Sequence, residues 1–124
     1  MKRLGVPTER AYSRGDIVRV RLDPVEGSEQ AGERPALVVS PEIINRNSPV
    51  ILVASITTKK VERVYPFEVL IENEGGLRQR SKVSFMHLRS VDRSRIINRY
   101  GKVGRATMIA VDSALQIATG FEPL

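Results

Sequence analysis

The segment Arg34-Pro35-Ala36-Leu37-Val38-Val39-Ser40 joins a cation, a proline and an uninterrupted apolar run. A proline biases the residue before it toward extended backbone and cannot donate a hydrogen bond within a sheet, so the Arg-Pro pair marks the start of a strand. The apolar run is typical of a strand that is buried on both faces. We therefore expect Arg34 at the beginning of a buried strand, close to rigid backbone.

A polar loop bracketed by glycines, Gly27 to Glu33, precedes this strand. Loops of this kind present side chains to a ligand from a stiff scaffold. The permanent charge and five fixed donors of arginine suit Arg34 to a phosphate, above all to one whose charge rises during a reaction. The same residues also fit an ordinary hairpin loop with a solvated arginine.

Further strands are predicted on both sides of this segment. Asp16 to Leu22 alternates apolar and basic residues, as a half-buried strand requires, and Asp23-Pro24 ends it. A short turn or single helical turn is expected at Glu42 to Asn47. Val50 to Ile56 is rich in β-branched residues and is predicted as a central third strand, with Thr57 at its exit.

The pattern continues with a fourth strand at Phe67 to Ile71, in which Glu68 is expected to point outward. Glu74-Gly75-Gly76 is predicted to be a turn, and Ser81 to Leu88 alternates as a fifth strand. Ile96-Ile97 and Tyr100 to Val103 indicate a last short strand around Gly101. Several short strands with frequent turns predict a small closed or nearly closed sheet.

The end of the chain has a different period. Apolar residues recur there at helical spacing, and Thr107 and Gly120 fit an N-cap and a C-terminal cap. We therefore predict a helix that packs on the sheet. Its apolar stripe is Met108, Val111, Leu115 and Ala118, widened by Ile109 and Ile117.

The composition limits the function. Twenty Lys and Arg against fourteen Asp and Glu give a net charge of +6, which favours nucleic acid, an acidic protein or an anionic surface as partner. The chain has no cysteine and one histidine, which excludes a disulfide framework, a cysteine nucleophile and a histidine-pair nuclease.

No apolar run is long enough for a signal peptide or a membrane span, so we expect no membrane partner and a cytoplasmic location. Residues 1–13 are expected to be a flexible extension, and residues 14–124 a single domain.

The acidic residues are scattered, apart from Glu26, Glu29 and Glu33 in the loop before Arg34. A two-metal nuclease needs clustered carboxylates, and glycine-rich phosphate loops of the P-loop or dinucleotide type are absent from the sequence. The residues therefore favour stabilisation of a phosphorane by Arg34 and hydroxyl donors, with no metal and no other cofactor.

Blocks distributed over roughly residues 13 to 121 resemble the MazF/PemK family of toxin endoribonucleases in their order and spacing. The resemblance implies a mainly β fold, a small SH3-like barrel of the CcdB/PemK type with a C-terminal α-helix. The matching blocks are Arg14-Gly15-Asp16-Ile17-Val18, Leu22-Asp23-Pro24, Gly27-Ser28-Glu29-Gln30, Arg34-Pro35-Ala36-Leu37-Val38, Ala54-Ser55-Ile56-Thr57, Pro66-Phe67-Glu68-Val69, Ser81-Lys82-Val83 and Leu88-Arg89-Ser90-Val91-Asp92.

By position, the family resemblance makes Arg34 and Thr57 the catalytic residues. The reaction that it implies is attack of the RNA's own 2′-hydroxyl on the adjacent phosphate, which leaves a 2′,3′-cyclic phosphate and a 5′-hydroxyl. Without the resemblance, Thr57 fits an ordinary β-forming residue at a strand end. Glu29 is open to three interpretations: a carboxylate that orients Arg34, a general base, or a solvated loop charge.

Binding of single-stranded RNA requires a basic groove and groups that read unstacked bases. Few aromatic residues are present, so recognition is expected to depend on hydrogen bonds more than on stacking. At the position of His87 the family often has glutamine, and at Met86 some branches have an acidic residue; a lone histidine on a strand is also often structural. The predicted RNA contacts are Ser28, Gln30, Lys59, Arg80, Ser81, His87 and Arg89, with further charge from Lys60, Arg63, Arg78 and Lys82.

The resemblance also implies a symmetric homodimer and a cognate acidic antitoxin that covers the RNA groove. Two other functions remain open at the level of sequence. A toxin of the CcdB type shares the barrel but inhibits DNA gyrase, and the Arg-Pro pair argues against it. A non-catalytic RNA-binding barrel would keep the groove and lack the reaction.

Overall fold

The computed structural model describes residues 11–22 and 32–123. Six strands and two helices make up this part of the chain, and a single 3-10 turn, Arg93–Arg95, joins the last two strands. The elements are β1 (Asp16–Leu22), β2 (Gly32–Val38), α1 (Glu42–Asn47), β3 (Val50–Thr57), β4 (Glu68–Ile71), β5 (Ser81–Asp92), β6 (Ile96–Lys102) and α2 (Arg105–Ala118).

The six strands form one antiparallel sheet in the order β4-β5-β3-β2-β1-β6. β3 lies inside this sheet, which confirms its predicted central place, and the short helix at α1 is confirmed as well. The sheet is curled, and with the C-terminal helix it has the mainly β, barrel-like architecture that the sequence predicts. β5 runs to Asp92, four residues beyond its predicted end.

Both faces of the central strands are buried, because the sheet carries a hydrophobic cluster on each side. Ile17 packs in the cluster that includes Val111 and Ala114 of α2, whereas its neighbour Val18 belongs to the opposite cluster. The apolar run of β2 divides in the same way, and Ala36 to Ser40 is buried throughout. The prediction of a strand buried on two faces is therefore confirmed.

The start of α2 differs from the prediction. The N-cap is Gly104, and Thr107 lies inside the first turn, where its hydroxyl donates to Glu74 at 2.6 Å. The other carboxylate oxygen of Glu74 accepts the Gly104 N–H at 2.8 Å. An acidic side chain from a distant turn therefore binds the start of the helix through the Gly104 N–H and the Thr107 hydroxyl, and Thr107 is not the cap that the sequence predicts.

The remainder of α2 agrees with its apolar period except at one residue. Val111 and Ala114 are buried against the sheet, but Ile109 is 58% exposed and does not belong to the packed stripe. The helix ends at Ala118, and Gly120 follows with φ +79, a conformation that favours glycine. Within the described residues, no helix has the length and apolar character needed to cross a membrane.

Candidate active site

The pairing of β2 with β3 relates Arg34 to Thr57. Ala36 pairs with Ser55, and the same antiparallel register continued by two residues brings Arg34 level with Thr57, the last residue of β3. Residues two apart on a strand share a face, so Arg34 and Thr57 lie on the face of Ala36 and Ser55. The two residues predicted to act together therefore occupy the same face and the same level of the sheet.

Arg34 is held from its other side by β1. It pairs with Val20, a buried residue of the core, and its own side chain is half-buried. β2 begins at Gly32, so the prediction that Arg34 and Pro35 start the strand is wrong: both lie inside it, and Pro35 pairs with Arg19. The pairing of β2 with β3 begins only after Pro35, in keeping with the preference of proline for positions that need no ladder donor. The guanidinium thus starts from a backbone position that is fixed by a core strand.

The hydroxyl of Thr57 is oriented by the turn that follows it. Its Oγ1 accepts the backbone N–H of Lys59 at 3.1 Å, and Lys59 itself is exposed. A threonine hydroxyl that accepts one hydrogen bond keeps its own hydrogen for donation. Thr57 is therefore suited to donate to an oxygen placed above this face.

A large bulge in β5 faces Ser55. Ala54 pairs with Leu88 and Ile56 with Val83, so one residue of β3 stands opposite four residues of β5. Bulges of this kind bend a strand and re-aim its side chains, and they are common beside active sites. A cavity of about 600 Å³ opens here, lined by Leu22, Ser55, Met86, His87, Leu88, Arg89 and Ser90.

The bulge brings two of the predicted RNA contacts, His87 and Arg89, to the cavity that Ser55 lines. Both side chains are exposed. Ser55 lies two residues before Thr57 on the same face of β3, so the cavity adjoins the level of the Arg34 and Thr57 pair. A ligand that fills this cavity can extend to Thr57.

Arg80 and Ser81 lie elsewhere. Arg80 is exposed, with its Nε 3.3 Å from a carboxylate oxygen of Glu72. Ser81 is buried, and its hydroxyl donates to the carbonyl of Gln79 at 2.8 Å. Ser81 and Thr58 share a second cavity, of about 530 Å³. The hydrogen of the Ser81 hydroxyl is already donated to Gln79, so it is not free for an RNA base. The role of Ser81 as an RNA contact stays a prediction.

Three residues of the predicted site fall outside the part of the chain that the structure describes. They are Ser28, Gln30 and Glu29, in the loop before β2. The three alternative roles of Glu29 stay open. The predicted extension, residues 1–13, is likewise described only from residue 11 onward.

Sequence reasoning missed a buried ion pair beside the site. Lys82 pairs with Thr57 in the β3–β5 register, and its Nζ lies 2.9 Å from Oε1 of Glu68. Their side chains are 7% and 8% exposed. The expectation that Glu68 points outward is therefore wrong, and Lys82 does not contribute an open positive charge. Glu68 accepts a hydrogen bond from Lys82 across the antiparallel pair of β4 and β5, and both side chains are buried there.

The surroundings of Glu68 favour its charged form. Burial acts to raise the pKa of its carboxyl, but hydrogen bonds from the Tyr65 N–H and from Lys82 outweigh burial and hold that pKa below its ordinary value. Alternation along β5 indicates that Lys82 and Ser84 share a face. The sequence does not show that Lys82 is the cross-strand partner of Thr57 and donates a hydrogen bond to Glu68; both facts require the structure.

Among residues 11–22 and 32–123, no group of three or more His, Asp or Glu side chains is arranged to hold a metal ion. The groups that converge on this face are instead a guanidinium, a hydroxyl and the side chains of the bulge. Arginine and hydroxyl donors at fixed positions are suited to stabilising negative charge on a phosphate.

Comparison with known proteins identifies the family. A family model described as PemK-like, MazF-like toxin of type II toxin-antitoxin system matches residues 13–119. This chain belongs to that family. Endoribonuclease EndoA of Bacillus subtilis is 37% identical over 106 residues, which are 85% of this chain and 91% of EndoA. The resemblance seen in the sequence blocks is confirmed.

Solved structures of the family share the fold. MazF from Deinococcus radiodurans aligns with a TM-score of 0.72 at 30% identity, covering 89% of this chain and 97% of that chain. A MazE–MazF structure from the same organism aligns with a TM-score of 0.72 at 29% identity, covering 90% and 98%. The curled sheet with its C-terminal helix is therefore the family's architecture.

Proposed function

We propose that this protein is a toxin endoribonuclease that cleaves single-stranded RNA without a metal ion. The observation that carries the proposal is the register of β2 and β3, which, continued by two residues beyond Ala36 and Ser55, sets Arg34 level with Thr57 on one face. In the proposed reaction, the 2′-hydroxyl of the RNA attacks the adjacent phosphorus and the bond to the 5′-oxygen breaks. The products are a 2′,3′-cyclic phosphate and a 5′-hydroxyl.

Arg34 stabilises the charge that develops on the phosphorane. Arginine is a permanently charged donor and a poor general acid or base, so we assign Arg34 an electrostatic role and no proton transfer. Thr57 donates its hydroxyl hydrogen to a non-bridging oxygen, because its oxygen already accepts the Lys59 amide. Donors fixed before the reaction stabilise a transition state without reorganisation. Glu29 is proposed to orient Arg34.

The RNA is proposed to cross the face that the bulge of β5 exposes. His87 and Arg89 line the cavity beside Ser55, and the chain carries a net charge of +6. Attraction of the phosphate backbone by such a surface is independent of sequence, whereas base recognition requires hydrogen-bonding groups at the cavity. We therefore assign Arg89 to the backbone and His87 to a base or ribose.

The family membership supports two proposed assemblies. Structures titled MazE-MazF exist for the relative from Deinococcus radiodurans, and we propose that a cognate acidic antitoxin binds this protein as well. We also propose a homodimer, with residues 14–124 as the toxin domain and the cytoplasm as its place of action. The family match over residues 13–119 supports these bounds.

The test is cleavage of a long single-stranded RNA by the purified chain in excess EDTA. The wild type is compared with Arg34→Gln, which removes the charge but keeps a polar side chain, and with Thr57→Val, which keeps the shape of the side chain and removes the hydroxyl. We expect discrete cuts by the wild type and rates about 10²–10³ lower for each variant, the usual cost of losing one such donor.

Arg105→Gln is the matched control, because Arg105 is an exposed cation at the start of α2. It should cleave at the rate of the wild type. Intact RNA with the wild type, or full activity of Arg34→Gln, would contradict the proposal.

A further inference from the structure

The connection between β3 and β4, residues 58–67, is fixed along its length although it contains no strand or helix. Surface connections are usually more mobile than the elements that they join. Here three hydrogen bonds hold the connection at its start, middle and end. They run from Lys59 N–H to Thr57 Oγ1 at 3.1 Å, from Lys82 Nζ to the Arg63 carbonyl at 2.8 Å, and from Tyr65 N–H to Glu68 Oε1 at 3.0 Å.

The buried ion pair is the anchor of two of these contacts. Lys82 holds the Arg63 carbonyl while Glu68 holds the Tyr65 amide, and the two side chains bind each other at 2.9 Å. Charged groups are expensive to bury, and a pair of them is tolerated only when further hydrogen bonds satisfy both ions. This pair satisfies its ions by binding the backbone of the connection, so it fixes the shape of that connection.

A cavity of about 480 Å³ lies over the anchored segment, lined by Lys60, Glu62, Arg63, Tyr65 and Lys82. This volume is within the range of about 300–1,000 Å³ that is usual for small-molecule sites. The exposed charges at its wall are the cations of Lys60 and Arg63 and the single carboxylate of Glu62, since Lys82 is neutralised by Glu68. The wall of the cavity therefore favours an anion.

Tyr65 gives this cavity a rigid aromatic side. Its ring is stacked on Phe67 with 5.5 Å between the centroids and 3° between the planes, yet the residue is 44% exposed. The backbone of Lys60 is also constrained, because its φ of 55 lies in the left-handed region that a lysine rarely adopts. Strained residues of this type concentrate at binding sites.

The cavity adjoins the proposed active site. Lys82, at its floor, is the cross-strand neighbour of Thr57, and side chains of paired residues lie on the same face. Arg34, Thr57 and Lys82 thus follow one another across β2, β3 and β5. Lys82 therefore links the level of Thr57 to the cavity, which places the cavity beside the proposed position of the scissile phosphate.

We propose that the connection between β3 and β4 is a preformed subsite for the RNA nucleotide next to the scissile phosphate. Lys60 and Arg63 contact its backbone phosphate, Tyr65 contacts its nucleoside, and the ion pair of Lys82 with Glu68 acts as a positioning device for all three. The proposal rests on the endoribonuclease function proposed above.

The test measures binding separately from cleavage. The probe is a fluorescent single-stranded RNA of mixed sequence that is 2′-O-methylated throughout, so it cannot be cleaved by 2′-hydroxyl attack. Affinity is measured by anisotropy over a series of salt concentrations. The variant combines Lys60→Asn, which tolerates the left-handed backbone, with Arg63→Gln, and Arg105→Gln is the control for loss of an exposed cation.

The slope of log K against log salt is negative, and each cation that leaves a phosphate of single-stranded RNA lowers its magnitude by about 0.7. We therefore expect the magnitude of the slope to fall by about 1.4 for the double variant and to stay unchanged for Arg105→Gln. A slope equal to that of the wild type, or an equal fall with the control, would overturn the subsite.

A cleavable RNA distinguishes the failure of the subsite from the failure of the enzyme. We expect the double variant to raise KM and leave kcat unchanged, because neither residue reaches the reacting atoms. If the wild type fails to cut RNA, the proposed function is wrong, while the salt slope still reports the subsite. If cleavage is intact and the slope and KM do not change, the subsite alone is wrong.

The positioning role needs a variant that keeps the fold. Replacing the pair with apolar residues, Lys82→Met with Glu68→Leu, is often tolerated by buried ion pairs. We expect this variant to melt cooperatively, to bind the methylated RNA more weakly and to show a less steep salt dependence than the wild type, because Lys60 and Arg63 are no longer held toward the phosphate. Unchanged affinity in a folded variant would overturn the positioning role.

Discussion

The two halves of β5 have opposite environments within a single strand. Residues 81–85 are buried and the first four of them pair with β4, whereas residues 86–90 are exposed and line the cavity beside Ser55. The bulge opposite Ser55 separates them. The first half stabilises the sheet and anchors the neighbouring connection, and the second half presents side chains to a ligand. One strand therefore combines a buried segment that serves stability with an adjacent exposed segment that serves binding.

The sharpest test of this difference uses two adjacent residues. Phe85 is 5% exposed in the core next to α2, and Met86 is 65% exposed. We expect Phe85→Ala to lower the free energy of unfolding by about 3–5 kcal/mol, the usual cost of emptying a buried aromatic site. Met86→Ala should change it by no more than about 0.5 kcal/mol. Urea unfolding measures both, and similar losses for the two variants would contradict the division of the strand.

The ion pair of the buried half gives the next largest effect. Glu68→Gln leaves the ammonium of Lys82 buried without a counter-charge, and we expect it to cost about 3 kcal/mol in the free energy of unfolding. The matched change on the surface is Glu42→Gln, which breaks the exposed pair with Arg46 on α1. That change should cost no more than about 0.5 kcal/mol. Equal costs for the two would show that burial does not govern the strength of the pair.

The lowered pKa of Glu68 predicts how this stability depends on pH. A carboxyl whose pKa is depressed by folding stabilises the protein above its unfolded pKa, near 4.3, and loses that contribution as the pH falls through the folded pKa. The difference in stability between the wild type and Glu68→Gln should therefore be constant from pH 7 to about pH 5 and shrink below about pH 4. Urea midpoints at a series of pH values measure this difference. A difference that grows on acidification would have the wrong sign.

The exposed half gives the smallest effect on stability and a measurable effect on binding. Arg89→Gln should leave the free energy of unfolding within about 0.5 kcal/mol of the wild type. It should lower the magnitude of the slope of log K against log salt for methylated RNA by about 0.7, as expected for one lost phosphate contact. An unchanged slope would remove Arg89 from the RNA surface.

Local patterns in the sequence predict the strands of this fold well. Alternation locates β1, the Arg-Pro pair marks the start of the apolar run in β2, and the helical period locates α2. These signals are local because each element is specified by its own residues. The same holds for the candidate pair: Arg34 before an apolar run and Thr57 at a strand exit are both visible without coordinates.

Long-range contacts explain what sequence reasoning missed. Glu74 caps α2 from thirty residues before Gly104, so the local threonine was the wrong cap. The ion pair of Lys82 with Glu68 depends on the pairing of β4 with β5, and no spacing along the chain reports it. The bulge in β5 interrupts the pairing with β3, but the alternation of residue types continues through it. A period-two pattern in the sequence therefore cannot locate the bulge.

The central claim is that Arg34 and Thr57 promote attack by the RNA's own 2′-hydroxyl. The most direct measurement compares two RNAs that differ only in that one hydroxyl, at the nucleotide where the wild type cuts, in excess EDTA. We predict that the complete RNA is cut to a 2′,3′-cyclic phosphate and a 5′-hydroxyl, and that the RNA with the single 2′-deoxy nucleotide stays intact at that position. Cleavage of both RNAs at the same phosphate would contradict the claim, because the attacking group would then have to come from elsewhere.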